Sequence, residues 1–285
     1  MDQYNKTSYA ISKVITRSYS TSFSLGISAF APQYRDAIYG IYGFVRLADE
    51  IVDTFHNYNQ KLLMENFRRE TEEALQTGIS TNPVLQAFIH TVKEYKIDYN
   101  YIDAFLRSME MDLTNSYYEP QQYNEYIYGS AEVVGLMCLQ IFAGGDDKLF
   151  NSLVAPARSL GSAFQKVNFL RDIKSDMEER ERIYLPGVNH AIKIDDVHKR
   201  DLEKEIELEF LNALEGIKKL PIGVKLGVYS AYLYYQGLFK KIKKLKVKEL
   251  MSKRVRVSNT TKMILFLRGL LEIKILKLTW NKNIF

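Results

Sequence analysis

Two distant stretches of this chain each set a pair of aspartates one helical turn apart on an otherwise apolar helix. That pairing limits what the chain can fold into. The first stretch, Gly40–Phe55, reads GIYGFVRLADEIVDTF. Tyr42, Arg46, Asp49 and Asp53 fall at i, i+4, i+7 and i+11 and share one helical face. Ile41, Phe44, Val45, Ala48 and Val52 supply apolar surface elsewhere on the helix. Two like charges at i and i+4 cost a helix roughly 0.2–0.5 kcal/mol unless a cation neutralises them. A solvated acidic face and a pair of oxygen ligands for Mg²⁺ both answer this pattern.

The second stretch is FQKVNFLRDIKSDMEERERIYLP, Phe164–Pro186. Gln165, Asn168, Asp172 and Asp176 fall at i, i+3, i+7 and i+11 on a helix whose other faces carry Phe164, Val167, Phe169, Leu170 and Ile173. Such a polar stripe is costly to bury without partners. Facing the first stripe across a bundle, it would complete a cage of four carboxylates suited to Mg²⁺ gripping a diphosphate, with the amides supporting it.

Between and around these stretches the apolar residues keep helical spacing almost without pause. Segments with that spacing span about Lys6–Ser24, Arg35–Asn57, Gln60–Thr77, Asn82–Glu94, Asn100–Leu113, Tyr123–Phe142, Lys148–Glu181, Val197–Ile217, Pro221–Val247 and Asn259–Lys277. Period-two alternation is short and rare, and six Pro and 15 Gly are few for a β-rich chain of 285 residues. Gly129, Ala131 and Gly135 would let helices approach closely, Pro156 would kink the long seventh segment, and Leu185–Pro186–Gly187 would stop it. The expectation is an all-α fold of about ten helices in a single domain, residues 1–285, with a central cavity between two acidic helices.

The charge is asymmetric. From Gly237 onward there are 14 Lys and Arg against two acids, Glu249 and Glu272, within a chain whose formal net charge is +5, so the remainder is net acidic. A basic end of this kind suits an anionic membrane or an anionic substrate. No zinc-finger spacing or RNP-like strand accompanies it, so nucleic acid is not expected as a partner. The single cysteine, Cys138, excludes an intrachain disulfide, fits a reducing compartment and reads as a core residue. No secretory signal is visible, and Met263–Leu278, the nearest approach to an apolar span, is interrupted by Arg268, Glu272, Lys274 and Lys277.

Taken in order, the blocks SYSTSFSLG (Ser18–Gly26), YGFVRLADEIVD (Tyr42–Asp53), YIYGSAEVVGLM (Tyr126–Met137), ARSLGSAFQKVNFLRDIKSD (Ala157–Asp176) and RIYLP (Arg182–Pro186) resemble the squalene/phytoene synthases over nearly the whole chain. These are head-to-head prenyl transferases with an all-α isoprenoid-synthase fold. The resemblance implies Mg²⁺, with Mn²⁺ as a substitute, on Asp49 and Asp53 on one wall and on Asp172 and Asp176 on the other. It implies that Arg46, Arg171, Arg182, Gln165, Asn168, Ser20, Ser22 and Phe23 attend the diphosphates and substrate. Tyr42, Tyr128 and Tyr184 would line the reaction cavity, and the KRVRVS segment, Lys253–Ser258, would also reach a diphosphate. Two positions depart from the family pattern, Glu50 and Glu132.

The implied reaction joins two prenyl diphosphates through a cyclopropylcarbinyl diphosphate, which ionises, rearranges and loses a proton to give a triene. Two C20 substrates without NADPH give the first expectation, a phytoene synthase reaction. Two C15 substrates, as for dehydrosqualene or squalene synthases, give the second. A head-to-tail prenyl transferase or terpene cyclase and a catalytically inactive assembly-factor relative complete the alternatives. The expected location is cytoplasmic and membrane-peripheral.

Overall fold

A computed structural model describes residues 1–185, 188 and 194–280, with side chains up to Ile273. Among the described residues there are thirteen α-helices, one π-helical segment and no strand. In order these are α1 (Asp2–Tyr19), α2 (Thr21–Ser28), α3 (Pro32–Asp53), α4 (Gln60–Thr77), α5 (Pro83–Tyr95), α6 (Tyr99–Asp112) and α7 (Pro120–Ile127). The π segment Tyr128–Glu132 follows, then α8 (Val133–Ala143), α9 (Asp147–Glu178), α10 (Asp196–Lys219), α11 (Ile222–Lys243), α12 (Val247–Leu250) and α13 (Asn259–Trp280). Pro186 and Gly187, expected to stop the long helix, lie outside the described residues.

Local chemistry sets the boundaries. Asn59, Asn82, Asp98, Asp146 and Asp195 each accept a backbone N–H at the start of α4, α5, α6, α9 and α10. Pro32 and Pro83 occupy first-turn positions, where the missing N–H costs nothing. Gly78 and Gly144 end α4 and α8 with left-handed backbone. The expected first helix is two helices, because Ser20 is extended and its hydroxyl caps Phe23 N at 3.2 Å.

The expected Tyr123–Phe142 helix begins at Pro120 and loosens into π geometry at Tyr128–Glu132. There the chain is squeezed between α6 and α9. A Cβ on Gly129 would collide with Ala104 O, and one on Gly161 would come within 2.6 Å of Ala131 O. Only glycine allows both approaches. Contrary to the sequence reading, Pro120–Ala143 is long and apolar enough to span a membrane by length and composition, but half of its most apolar window is buried in the bundle.

The core runs continuously through the molecule. Phe44 stacks on Phe88 at 3.8 Å and meets Phe67 and Phe105. α3 packs on α1 and α5 on one side and on α8 on the other, and α9 lies against α8 and α10. α8 thus touches both α3 and α9, and a cavity lined by these two helices opens beside it.

Candidate active site

The cavity has a volume of about 520 Å³. The stripe of α3 from Ile38 to Asp53 forms one wall and the stripe of α9 from Leu153 to Asp176 forms the other. Asp53 is the last residue of α3, and Asp176 lies two residues from the end of α9. Both acid pairs thus sit at helix C-termini, where the backbone dipoles already present negative charge. Cations are required there, and arginines supply part of that charge.

Each acid has its guanidinium. Arg46 lies 4.0 Å from Asp49 and also pairs closely with Glu50. Asp53 accepts from Arg182 at 2.8 Å and lies 3.5 Å from Arg180. Asp176 accepts from Arg180 at 2.7 Å. Asp172 takes Arg171 Nε at 2.9 Å and, from the connection between α12 and α13, Arg254 Nε at 2.7 Å. Val255 and Val257 are buried and anchor that connection.

The titration of the acids reflects this crowding. Burial, then the neighbouring Asp53 charge, raises Asp49 from 3.8 to about 7. Burial, then Asp172, raises Asp176 to about 7 against the pull of Arg180. Asp172 is half-buried, yet Arg171 and Arg254 hold it below the ordinary carboxylate value.

Among the described residues no three acids, histidines or cysteines converge closely enough to hold a metal by themselves. The expected closed cage of four carboxylates is instead two facing pairs. That donor set fits Mg²⁺, which binds through one or two carboxylates together with substrate phosphates. In each pair one carboxylate, Asp49 or Asp176, is raised by burial and by a neighbouring acid, so a divalent cation would relieve charge that the arginines only partly offset.

The other expected residues divide. Tyr42, Arg46, Phe23, Gln165, Asn168, Arg171 and Tyr184 line the cavity together with all four aspartates. Asn168 donates to Gln165 at 3.4 Å and accepts from Tyr235 OH at 3.3 Å. Burial raises the Tyr42 phenol to about 12, with Ser20 opposing the shift.

Four expected residues, Tyr128, Arg182, Ser20 and Ser22, lie outside the cavity lining. Tyr128 lies outside the lining, with Arg158 over its ring at 5.2 Å, and Tyr126 lines the cavity instead. Arg182 is buried beneath Asp53, bonded to Val52 O at 2.7 Å, and Arg180 takes the lining position. Ser20 caps α2 and its hydroxyl also reaches the Tyr42 phenol, and Ser22 faces a small groove against α11 and α13. Phe44 is core. Glu132, one of the two departures from the family pattern, bonds Arg158 at 2.5 Å and lies outside the cavity lining. Cys138 lines the apolar wall, its thiol raised to about 12 by burial.

Asp112 was missed. It is a buried carboxylate on the cavity wall that accepts from Tyr184 OH at 2.7 Å, Tyr126 OH at 2.8 Å and Tyr118 OH at 3.0 Å. Burial raises its pKa, with Arg182 opposing. An acid at i+7 from Phe105 and i+3 from Met109 on the apolar stripe of α6 was the signal that could have found it.

Two acid pairs and four arginines thus stand at one end of an apolar cavity, and the chain as a whole is similar to known proteins. Residues 16–261 match the family model for squalene/phytoene synthase. The chain belongs to this family. Its members are prenyl-transferring enzymes of isoprenoid biosynthesis that act on prenyl diphosphates. The phytoene synthase of Arthrospira platensis is 28% identical over 261 residues, covering 83% of this chain and 84% of that one. Phytoene synthase 1, chloroplastic, of Solanum lycopersicum is 27% identical over 266 residues, covering 86% and 63%. Among solved structures, a dehydrosqualene synthase in complex with ligand superposes with a TM-score of 0.81 at 22% identity over 95% of this chain and 98% of that one. A squalene synthase from Alicyclobacillus acidocaldarius gives 0.72 at 19%, covering 84% and 94%. The chain therefore shares its fold with both solved structures.

Proposed function

We propose that the protein is a phytoene synthase, condensing two C20 prenyl diphosphates head to head through a cyclopropylcarbinyl diphosphate in carotenoid biosynthesis. The observation that carries this reading is the convergence of Asp49, Asp53, Asp172 and Asp176 at one end of an apolar cavity.

Asp49 and Asp53 would hold Mg²⁺ or Mn²⁺ on one wall, and Asp172 and Asp176 on the other. The metal when bound stabilises negative charge building on a departing diphosphate. Arg46, Arg171, Arg180 and Arg254 supply fixed positive charge at the same end and orient the phosphates. Gln165 and Asn168 place amide donors beside them. Tyr42, Phe164 and Tyr235 present aromatic faces toward carbon that becomes cationic, and the apolar walls exclude water that would quench it. Tyr126 and Tyr184 are the phenols placed to pass a proton, each through its O–H to an Asp112 oxygen, and the raised pKa of Asp112 suits it to receive one. Departing pyrophosphate is the other base. No reductant enters this sequence.

Length supports C20 over the C15 alternative. From Asp53 to Ile38 the α3 wall rises about 22 Å at ~1.5 Å per residue. Extended chains of single bonds advance ~1.2 Å per bond, so the C20 main chain spans roughly 18 Å and the C15 chain roughly 13 Å. The names of the phytoene synthases at 27–28% identity favour the same choice. An inactive assembly role is disfavoured because both acid pairs and their cations face the cavity. The deciding experiment is incubation with C15 or C20 prenyl diphosphate and Mg²⁺, with and without NADPH, and mass analysis of the product.

A cytoplasmic, membrane-peripheral location completes the reading. Met263, Ile264, Leu267 and Leu271 form an exposed apolar face on α13 within the basic C-terminal region. Co-sedimentation with anionic but not zwitterionic vesicles, lost at high salt, is the expected behaviour.

A further inference from the structure

The end of the cavity opposite the acids is closed by aromatic rings. Phe30 precedes α3, whose last residue is Asp53, so it lies a full helix length from the acid end. Phe142, near the end of α8, meets Phe30 edge-on at 5.3 Å and 67°, and Tyr34 in the first turn of α3 abuts Phe142 at 6.2 Å. Phe30 and Phe142 are 6% and 7% exposed and both line the cavity, so their rings are wall and core at once.

The rings are held from behind. A Cβ on Gly227 of α11 would collide with the Phe30 ring, so Phe30 fits only because that residue is glycine. Ala31 N donates to Gly223 O at 2.7 Å and ties the same turn to the start of α11. Beside the rings, α10 presents Ala213 and Gly216 to the cavity, followed by Ile217 and Leu220. The deep end is therefore wide where α10 is small and blocked where Phe142 stands.

We infer that Phe142, backed by Phe30, is the floor that sets the longest prenyl chain this protein accepts, and that Ala213 sets the width beside it. This rests on the prenyl diphosphate reading above. A chain one isoprene unit longer than C20 meets the Phe142 ring. Removing the ring opens space behind it, whereas a larger side chain at 213 takes space from the last isoprene unit of C20.

The test is steady-state competition among C15, C20 and C25 prenyl diphosphates with Mg²⁺, with products resolved by mass, for wild type, Phe142→Ala, Phe142→Leu and Ala213→Leu. Thermal melts confirm folding, and Phe142→Leu stands in if the alanine variant does not fold. A hydrophobic pocket discriminates by roughly 10–200-fold per methylene-sized change. The expected results are a rise of about tenfold or more in C25 use relative to C20 for the Phe142 variants, and a shift of similar size from C20 toward C15 for Ala213→Leu. Active, folded variants with both ratios unchanged would overturn the floor assignment and leave the function standing. A wild-type protein inert toward all three substrates would overturn the substrate reading, and the floor assignment with it.

Discussion

Asp53 on α3 and Asp176 on α9 share one guanidinium. Arg180 lies 3.5 Å from the first and 2.7 Å from the second, so a single cation bridges the two acidic walls. Arg180→Gln should leave Asp176 without that partner and leave Asp53 with Arg182. Losing one partner of a fully buried pair costs ~3–5 kcal/mol. Arg180 is a quarter exposed, which lowers the expectation to about 1–2 kcal/mol. Urea denaturation of the metal-free variant should show that loss, and Mg²⁺ with inorganic pyrophosphate should recover part of it. An unchanged midpoint would mean that the bridge contributes nothing.

The two acids raised to about 7 give the metal-free protein a distinct pH response. Both bind protons more tightly in the folded chain than at their ordinary value of 3.8. Their contribution to stability is complete below about pH 4 and is lost as pH rises through about 7. The melting temperature of wild type minus that of Asp49→Asn/Asp176→Asn should therefore fall between pH 4 and pH 7. A difference that rises over that window contradicts the assignment. Mg²⁺ with pyrophosphate, which needs the ionised forms, should flatten the fall.

Much of this site was legible because helical periodicity carries it. Gln165, Asn168, Asp172 and Asp176 keep a strict helical phase within one unbroken helix, so their common face followed from spacing alone. The failures sit where the phase is interrupted. Tyr126 and Tyr128 are two residues apart at the point where α7 passes into the π segment, and spacing could not say which ring turns inward. Arg180 and Arg182 follow the end of α9, and Glu181 between them takes a left-handed φ of 55°, so no helical rule applies. Ser20 was read for its motif and not for its capping power.

Asp112 supplies the acceptor for three phenols, so Asp112→Asn should disturb packing and chemistry together. The amide has one acceptor oxygen and brings an NH₂ into a ring of donors. A cost of about 2–4 kcal/mol is expected in denaturation. If Tyr126 and Tyr184 pass a proton as proposed, a fall in kcat exceeding any rise in KM should accompany it, since a neutral amide is no proton acceptor for them. Full stability and full kcat would remove Asp112 from the account.

The close approach of α9 to the π segment depends on Gly161, whose Cβ would lie 2.6 Å from Ala131 O. Gly161→Ala should cost about 1–3 kcal/mol through overpacking. Because Gly161 also lines the cavity, the same shift should lower turnover. Thermal melts and initial rates on one preparation check both.

The two-walled diphosphate site is the central claim, and product formation from a C20 prenyl diphosphate with Mg²⁺ tests it most directly. Wild type should give a C40 polyene of phytoene mass, with a central conjugated triene, without NADPH, and Asp49→Ala and Asp172→Ala, one from each wall, should each lose at least about a hundredfold in rate, some 2.7 kcal/mol of transition-state stabilisation. Full product formation by either folded variant would contradict the claim.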